Sequence, residues 1–88
     1  MKWVFGELYL QQPLYDTDDI MAVADNSGRD LEVEKGETIY LGYKDGFETR
    51  KLEFNYIKKT AEDGKIKIVS TDEHEFPFEN LCLVIKEN

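Results

Sequence analysis

Carboxylates dominate the reactive side chains of this chain, which holds 19 acidic residues against one histidine and one cysteine. His74 sits in Asp72-Glu73-His74-Glu75, and Cys82 lies in the apolar run Leu81 to Ile85. A Cys-His pair for nucleophilic catalysis would have to bring a buried thiol to a histidine ringed by acids, and negative neighbours disfavour the thiolate that such chemistry needs. Asp72, Glu73, His74 and Glu75 could offer oxygen and nitrogen to a divalent cation, but the His-Glu-x-x-His spacing of a zinc site is missing, and a solvated loop accounts for the cluster. Asp16 and Asp18 begin like a calcium loop, whose fifth and sixth positions require an oxygen donor and a glycine. Ile20 and Met21 stand there instead. No glycine-rich phosphate loop is present. The expectation is a non-enzymatic protein with no metal and no cofactor.

The acids remain to be explained, and they fall into two groups. Asp16, Asp18, Asp19, Asp25, Asp30, Glu32 and Glu34 lie in the first part of the chain; Asp72, Glu73, Glu75 and Glu79 lie near its end. The formal net charge is -8, made of -6 over residues 1–34, +2 over 35–67 and -4 over 68–88. Such a chain is repelled by DNA, RNA and anionic membranes, whose binding needs cationic groups that displace counterions. Direct nucleic-acid or membrane binding is therefore not expected.

The elements that must position these acids read as strands. Leu31 and Val33 alternate with Asp30, Glu32 and Glu34, so a period of two sends the apolar side chains to one face and three carboxylates to the other. A turn at Lys35-Gly36 leads to a second run holding Ile39, Tyr40, Leu41 and Tyr43, residue types that suit a pleated, half-buried surface. Upstream, residues 2–10 predict a strand with apolar layers on both faces and a bend at Gly6. Gln11 to Asp19 predicts a loop around Pro13. Residues 17–25 fit either a short helix capped by Asp16 or Thr17, or a strand over Ile20 to Ala24. Asn26-Ser27-Gly28 marks a turn. Lys44-Asp45-Gly46 predicts a tight hairpin turn into a long strand from Phe47 to Lys59, with Leu52, Phe54, Tyr56 and Lys58 on one face and Lys51, Glu53, Asn55 and Ile57 on the other. A second hairpin turns at Thr60 to Gly64 into Lys65 to Ser70. Thr71 to Asn80 reads as a loop anchored by Phe76 and Phe78, and Leu81 to Ile85 as the last strand.

Eighty-eight residues, of which 41% are hydrophobic and 12% aromatic, suffice for one domain with one core. No run approaches the roughly 20 apolar residues that a membrane-spanning helix needs, and a single cysteine suits a reducing cytoplasm. Five to six short strands joined by tight turns, with at most one helix near 17–25, predict a mainly β domain: a small antiparallel barrel or curled sheet. The order resembles an SH3-like barrel, through AVAD at Ala22 to Asp25, LEVEKGE at Leu31 to Glu37, the strand and two hairpins after it, and FPFENLCLVI at Phe76 to Ile85 in place of the turn and closing strand. The aromatic pair with which that family grips proline-rich peptides has no counterpart near Gly46 to Thr49.

That resemblance implies that the two acid groups lie side by side as one negative face. A negative face steers basic proteins onto itself and occupies lysines and arginines that otherwise hold phosphates. In size, acidity and compactness the chain resembles the DNA-mimic inhibitors made by bacteriophages, which block host nucleic-acid-binding proteins such as restriction enzymes, polymerases or the histone-like protein HU. The resemblance implies a basic nucleic-acid-binding partner in the host cytoplasm. The alternative expectation is an SH3-like interaction module that uses an apolar groove furnished by Trp3, Tyr9, Tyr15, Phe47 and Phe76.

Overall fold

The computed structural model describes residues 1–87, and every regular element among them is a β-strand. In chain order these are β1 (Lys2–Phe5), β2 (Leu8–Leu10), β3 (Thr17–Asp18), β4 (Ile20–Asp25), β5 (Asp30–Glu34), β6 (Thr38–Tyr43), β7 (Arg50–Lys59), β8 (Ile66–Ser70), β9 (Glu75–Pro77) and β10 (Leu81–Lys86). One antiparallel sheet runs β1-β10-β6-β7-β8-β9 with β3 paired to β7, and the other runs β2-β4-β5. The core lies between them. Val4, Met21, Val23, Val33, Ile39, Leu41, Phe54, Ile57, Ile68 and Val84 are all fully buried there. Each such side chain contributes roughly 1.5–3 kcal/mol of transfer free energy, which is what makes a two-sheet arrangement of short strands hold together.

Several expectations change. Ten strands replace the expected five or six, because the stretches read as single elements are broken. Residues 2–10 split at Gly6, whose φ of 112° is a conformation that side chains resist, and at Glu7. This segment is not apolar-packed on both faces: Val4 is buried while Trp3 and Phe5 face outward. Of the two readings of residues 17–25 the strand over Ile20 to Ala24 holds, as β4 with the two-residue β3 before it, since Met21 and Val23 alternate into the core with period two. The expected loop at 71–80 contributes β9, with Phe76 and Phe78 packed against the core. The turn after Tyr43 is longer than expected: Gly46 has no positive φ, Phe47 is fully exposed, and β7 begins only at Arg50.

The faces of β7 also change partway along. Phe54 pairs with Ser70 and Tyr56 with Val69, so Asn55 is an extra residue, a bulge that reverses the alternation. Ile57 therefore points into the core, and Tyr56 is only half-buried. The bulge bends β7, which pairs β6 along Arg50–Glu53 and β3 at Ile57 and Lys58.

The two sheets do not close into a barrel. β5 pairs β4 and not β6, so the chain changes sheet at Lys35-Gly36, where Gly36 takes a φ of 92° and its N–H donates to the Phe54 carbonyl at 2.8 Å. β1 and β5 approach each other as two sheet edges with no ladder between them. Side chains bridge that seam instead. At one end the Phe5 N–H donates to Asp25 Oδ2 at 3.0 Å. At the other, Lys86 Nζ donates to the Glu32 carbonyl at 2.7 Å and pairs with Glu37 at 3.2 Å, while Glu37 Oε1 accepts the Glu34 N–H at 2.7 Å. Between these two ends the Arg29 guanidinium stacks on the Trp3 ring, 3.8 Å from its centroid. Covering a strand edge in this way also keeps it from pairing with another chain.

Candidate functional site

The acids singled out by the sequence do four different things. Asp25 is buried, with 2% of its surface exposed. Its Oδ2 accepts from Phe5 N–H, and its Oδ1 accepts from Ser27 N–H at 2.9 Å, Ser27 Oγ at 2.7 Å and Arg29 N–H at 3.1 Å. These donors, led by the Phe5 amide, stabilise the ionised form and hold its pKa down at about 2. Asp25 is thus a structural hub joining the β4–β5 turn to β1 and leaves the proposed negative face. Asp18 is likewise engaged within the fold, accepting from Gln12 Nε2 at 2.9 Å and Ile20 N–H at 3.0 Å. The same Gln12 amide continues the sheet where β2 ends, donating to the Ile20 carbonyl at 2.6 Å and accepting the Ala22 N–H at 2.5 Å.

A second set is paired with cations or hydroxyls. Asp19 meets Lys35 at 3.8 Å, Glu75 meets Lys58 at 2.7 Å and Glu79 meets Lys65 at 4.0 Å. The hydrogen bond from Lys58 lowers the Glu75 pKa below the ordinary carboxylate value. Asp72 accepts from the buried Ser70 hydroxyl, which lowers its pKa, and its other oxygen lies 3.4 Å from His74 Nδ1. Ser70, Asp72 and His74 do not form a nucleophilic triad, because the hydroxyl is bonded to the carboxylate rather than to the imidazole, and it also accepts the His74 N–H at 3.1 Å. Asp16 and Glu73 are exposed in loops. Among the described residues no group of three or more His, Cys, Asp or Glu side chains is placed to hold a metal ion, and no helix is long and apolar enough to cross a membrane.

Of the acids carried on strands, Glu75 and the three of β5 belong to different sheets. Glu75 lies on β9, the edge of the larger sheet beyond β8, whereas Asp30, Glu32 and Glu34 lie on β5 in the smaller sheet. Between β3 and β9 run β7 and β8, whose facing Lys58 and Lys67 share the outer surface with Glu75.

One row of carboxylates survives free of these engagements. Asp30, Glu32 and Glu34 are exposed along the outer face of β5 while Leu31 and Val33 are buried beneath it. None of the three carboxylates accepts a hydrogen bond or meets a cation among the described residues. Alternate residues on a strand stand about 6.8 Å apart, so this is an evenly spaced negative row. Across the ladder Asp30 faces Ala24, Glu32 faces Ala22 and Glu34 faces Ile20, and Ala24 faces Tyr9 of β2 in turn. The outer face of the smaller sheet is therefore acidic along β5 and presents Ile20, the half-buried Ala22 and Tyr9 across β4 and β2. The alternation marked the acids in the sequence; the apolar half became visible only with the register.

The aromatic residues expected to furnish a groove do not converge. Trp3 lies on the outer face of the larger sheet with Phe5, Tyr9 on that of the smaller, Tyr15 and Phe47 on separate loops, and Phe76 is packed against the core. No family model, no curated protein and no solved structure matches this chain.

Proposed function

We propose that this chain is a non-enzymatic acidic binding protein that occupies the basic surface of a nucleic-acid-binding protein, in the manner of a DNA-mimic inhibitor. The observation that carries the reading is the exposed, unpaired row of Asp30, Glu32 and Glu34 on a rigid strand whose opposite face is core. Held by that backbone, the carboxylates meet lysines and arginines without first being ordered. One charge per roughly 6.8 Å is half the density of a single DNA strand, which carries one phosphate per about 3.4 Å of axis. The net charge of -8 supplies the remaining attraction at longer range.

Retention from a bacterial lysate tests this directly, with purified histone-like HU as a defined basic partner. Capture of a basic nucleic-acid-binding protein at low salt, released as salt rises and lost when Asp30, Glu32 and Glu34 are replaced by lysine, is the expected result. Partners indifferent to salt, or undiminished by the triple replacement in a protein that still folds, would overturn the reading.

A further inference from the structure

The outer face of the smaller sheet has a second half that the charge reading leaves unused. Tyr9 and Ile20 are 49% and 39% exposed, and Ala22 between them is half-buried, so an apolar strip runs alongside the carboxylate row. Both halves belong to one ladder: Tyr9, Ala24 and Asp30 form one cross-strand row, and Ile20 with Glu34 forms another. The small side chain of Ala22 leaves the strip low between the ring of Tyr9 and the side chain of Ile20, while Ala24, opposite Tyr9, is buried. A long apolar side chain of a partner can lie there while its neighbouring cations reach the acids about one strand spacing, roughly 4.8 Å, away.

We infer that this face docks an amphipathic cationic segment of a protein, one that presents apolar side chains on one flank and lysines or arginines on the other. The inference rests on the charge reading above and sharpens it, because a purely electrostatic mimic of DNA needs no apolar strip. A second copy of this chain is disfavoured as the occupant, since each copy carries a charge of -8 and would bring its own carboxylate row. An anionic lipid surface is disfavoured for the same reason. The expected division of labour is that charge sets the approach and the apolar strip sets the residence time.

Fluorescence anisotropy of two labelled peptides of equal length and equal positive charge tests it, one of lysine and leucine at amphipathic spacing and the other with serine in place of leucine. The expected result is that the lysine–leucine peptide binds at least tenfold more tightly and retains part of its binding at high salt, whereas the lysine–serine peptide does not. Tyr9→Ser should weaken only the lysine–leucine peptide, by about tenfold. Tyr15→Ser, which removes an 89% exposed aromatic from the loop before β3, should change neither. Replacing Asp30 by Asn and Glu32 and Glu34 by Gln should weaken both. Circular dichroism of each variant establishes that it folds before binding is read. Equal binding of the two peptides, or insensitivity to Tyr9→Ser, overturns the inference and leaves the charge reading standing. Failure of both peptides to bind at low salt overturns the charge reading as well. Binding of neutral phosphatidylcholine vesicles in preference to either peptide overturns the protein-segment assignment.

Discussion

Lys86→Met is the substitution that asks most directly whether side chains hold the two sheets together. Methionine keeps the apolar stem of the lysine, so packing along the seam changes little and the polar contacts are what is lost. Lys86 Nζ donates to the Glu32 carbonyl at 2.7 Å and lies 3.2 Å from Glu37 Oε2, with 16% of the Lys86 side chain and 32% of the Glu37 side chain exposed. A hydrogen bond from a charged donor contributes about 1.5–3 kcal/mol, and partial exposure to water reduces the ion pair to well under 1 kcal/mol. The expected loss is therefore about 1.5–2.5 kcal/mol. For a domain of this size each kcal/mol moves Tm by roughly 4–8 °C, so the variant should melt about 6–20 °C lower. Urea denaturation followed by circular dichroism measures the loss, and a cycle with Glu37→Gln isolates the pair, with an expected coupling of about 0.2–0.5 kcal/mol. Glu37 also carries a pH signature. The Glu34 N–H first, and Lys86 after it, lower its pKa in the folded state, so its contribution is present above the ordinary carboxylate pKa and is lost as pH falls through the lowered value. Part of that acid sensitivity should disappear in Lys86→Met. A loss below about 0.5 kcal/mol with no coupling to Glu37 would refute the idea that this contact closes the seam, given that a charged hydrogen bond in such a position contributes more.

Asp25→Asn should lower stability at neutral pH and flatten its dependence on acid. The folded pKa of Asp25 is about 2 against an ordinary 3.8, so the unfolded chain binds the proton first; stability is lost as pH falls from about 4 towards 2. Near pH 3 the variant should take up about one proton fewer on unfolding than the parent, and an unchanged slope in urea titrations across that range would contradict the buried-hub assignment. The bulge at Asn55 predicts opposite sensitivities for neighbouring residues: Ile57→Ala should cost about 2–5 kcal/mol and Tyr56→Ala less than about 1.5 kcal/mol. Comparable losses, or the reverse order, in chemical denaturation would mean that β7 alternates without interruption.

Local alternation was enough to locate most strands from the amino acids alone. In β5, Leu31 and Val33 alternate with three acids, and Ile39 and Leu41 of β6 do the same with polar or aromatic neighbours, because a pleated strand must sort its side chains in the same rhythm as the chain. The glycines at 28, 36 and 64 announced turns, and all three adopt positive φ. Alternation reports which side of a strand is apolar but carries nothing about which strand lies beside it. For that reason the pairing of β5 with β4, the open seam with β1 and the placing of Glu75 in a different sheet from the β5 acids were decided only by long-range packing. The bulge at Asn55 has no local mark either, since its cause is the need to bend one strand between β6 and β3. The acids show the same division most clearly. Asp25 and Asp30 are five residues apart and chemically identical in the sequence, yet folding surrounds one with backbone and hydroxyl donors and leaves the other in water, because a carboxylate's role is set by the groups that converge on it from elsewhere in the chain.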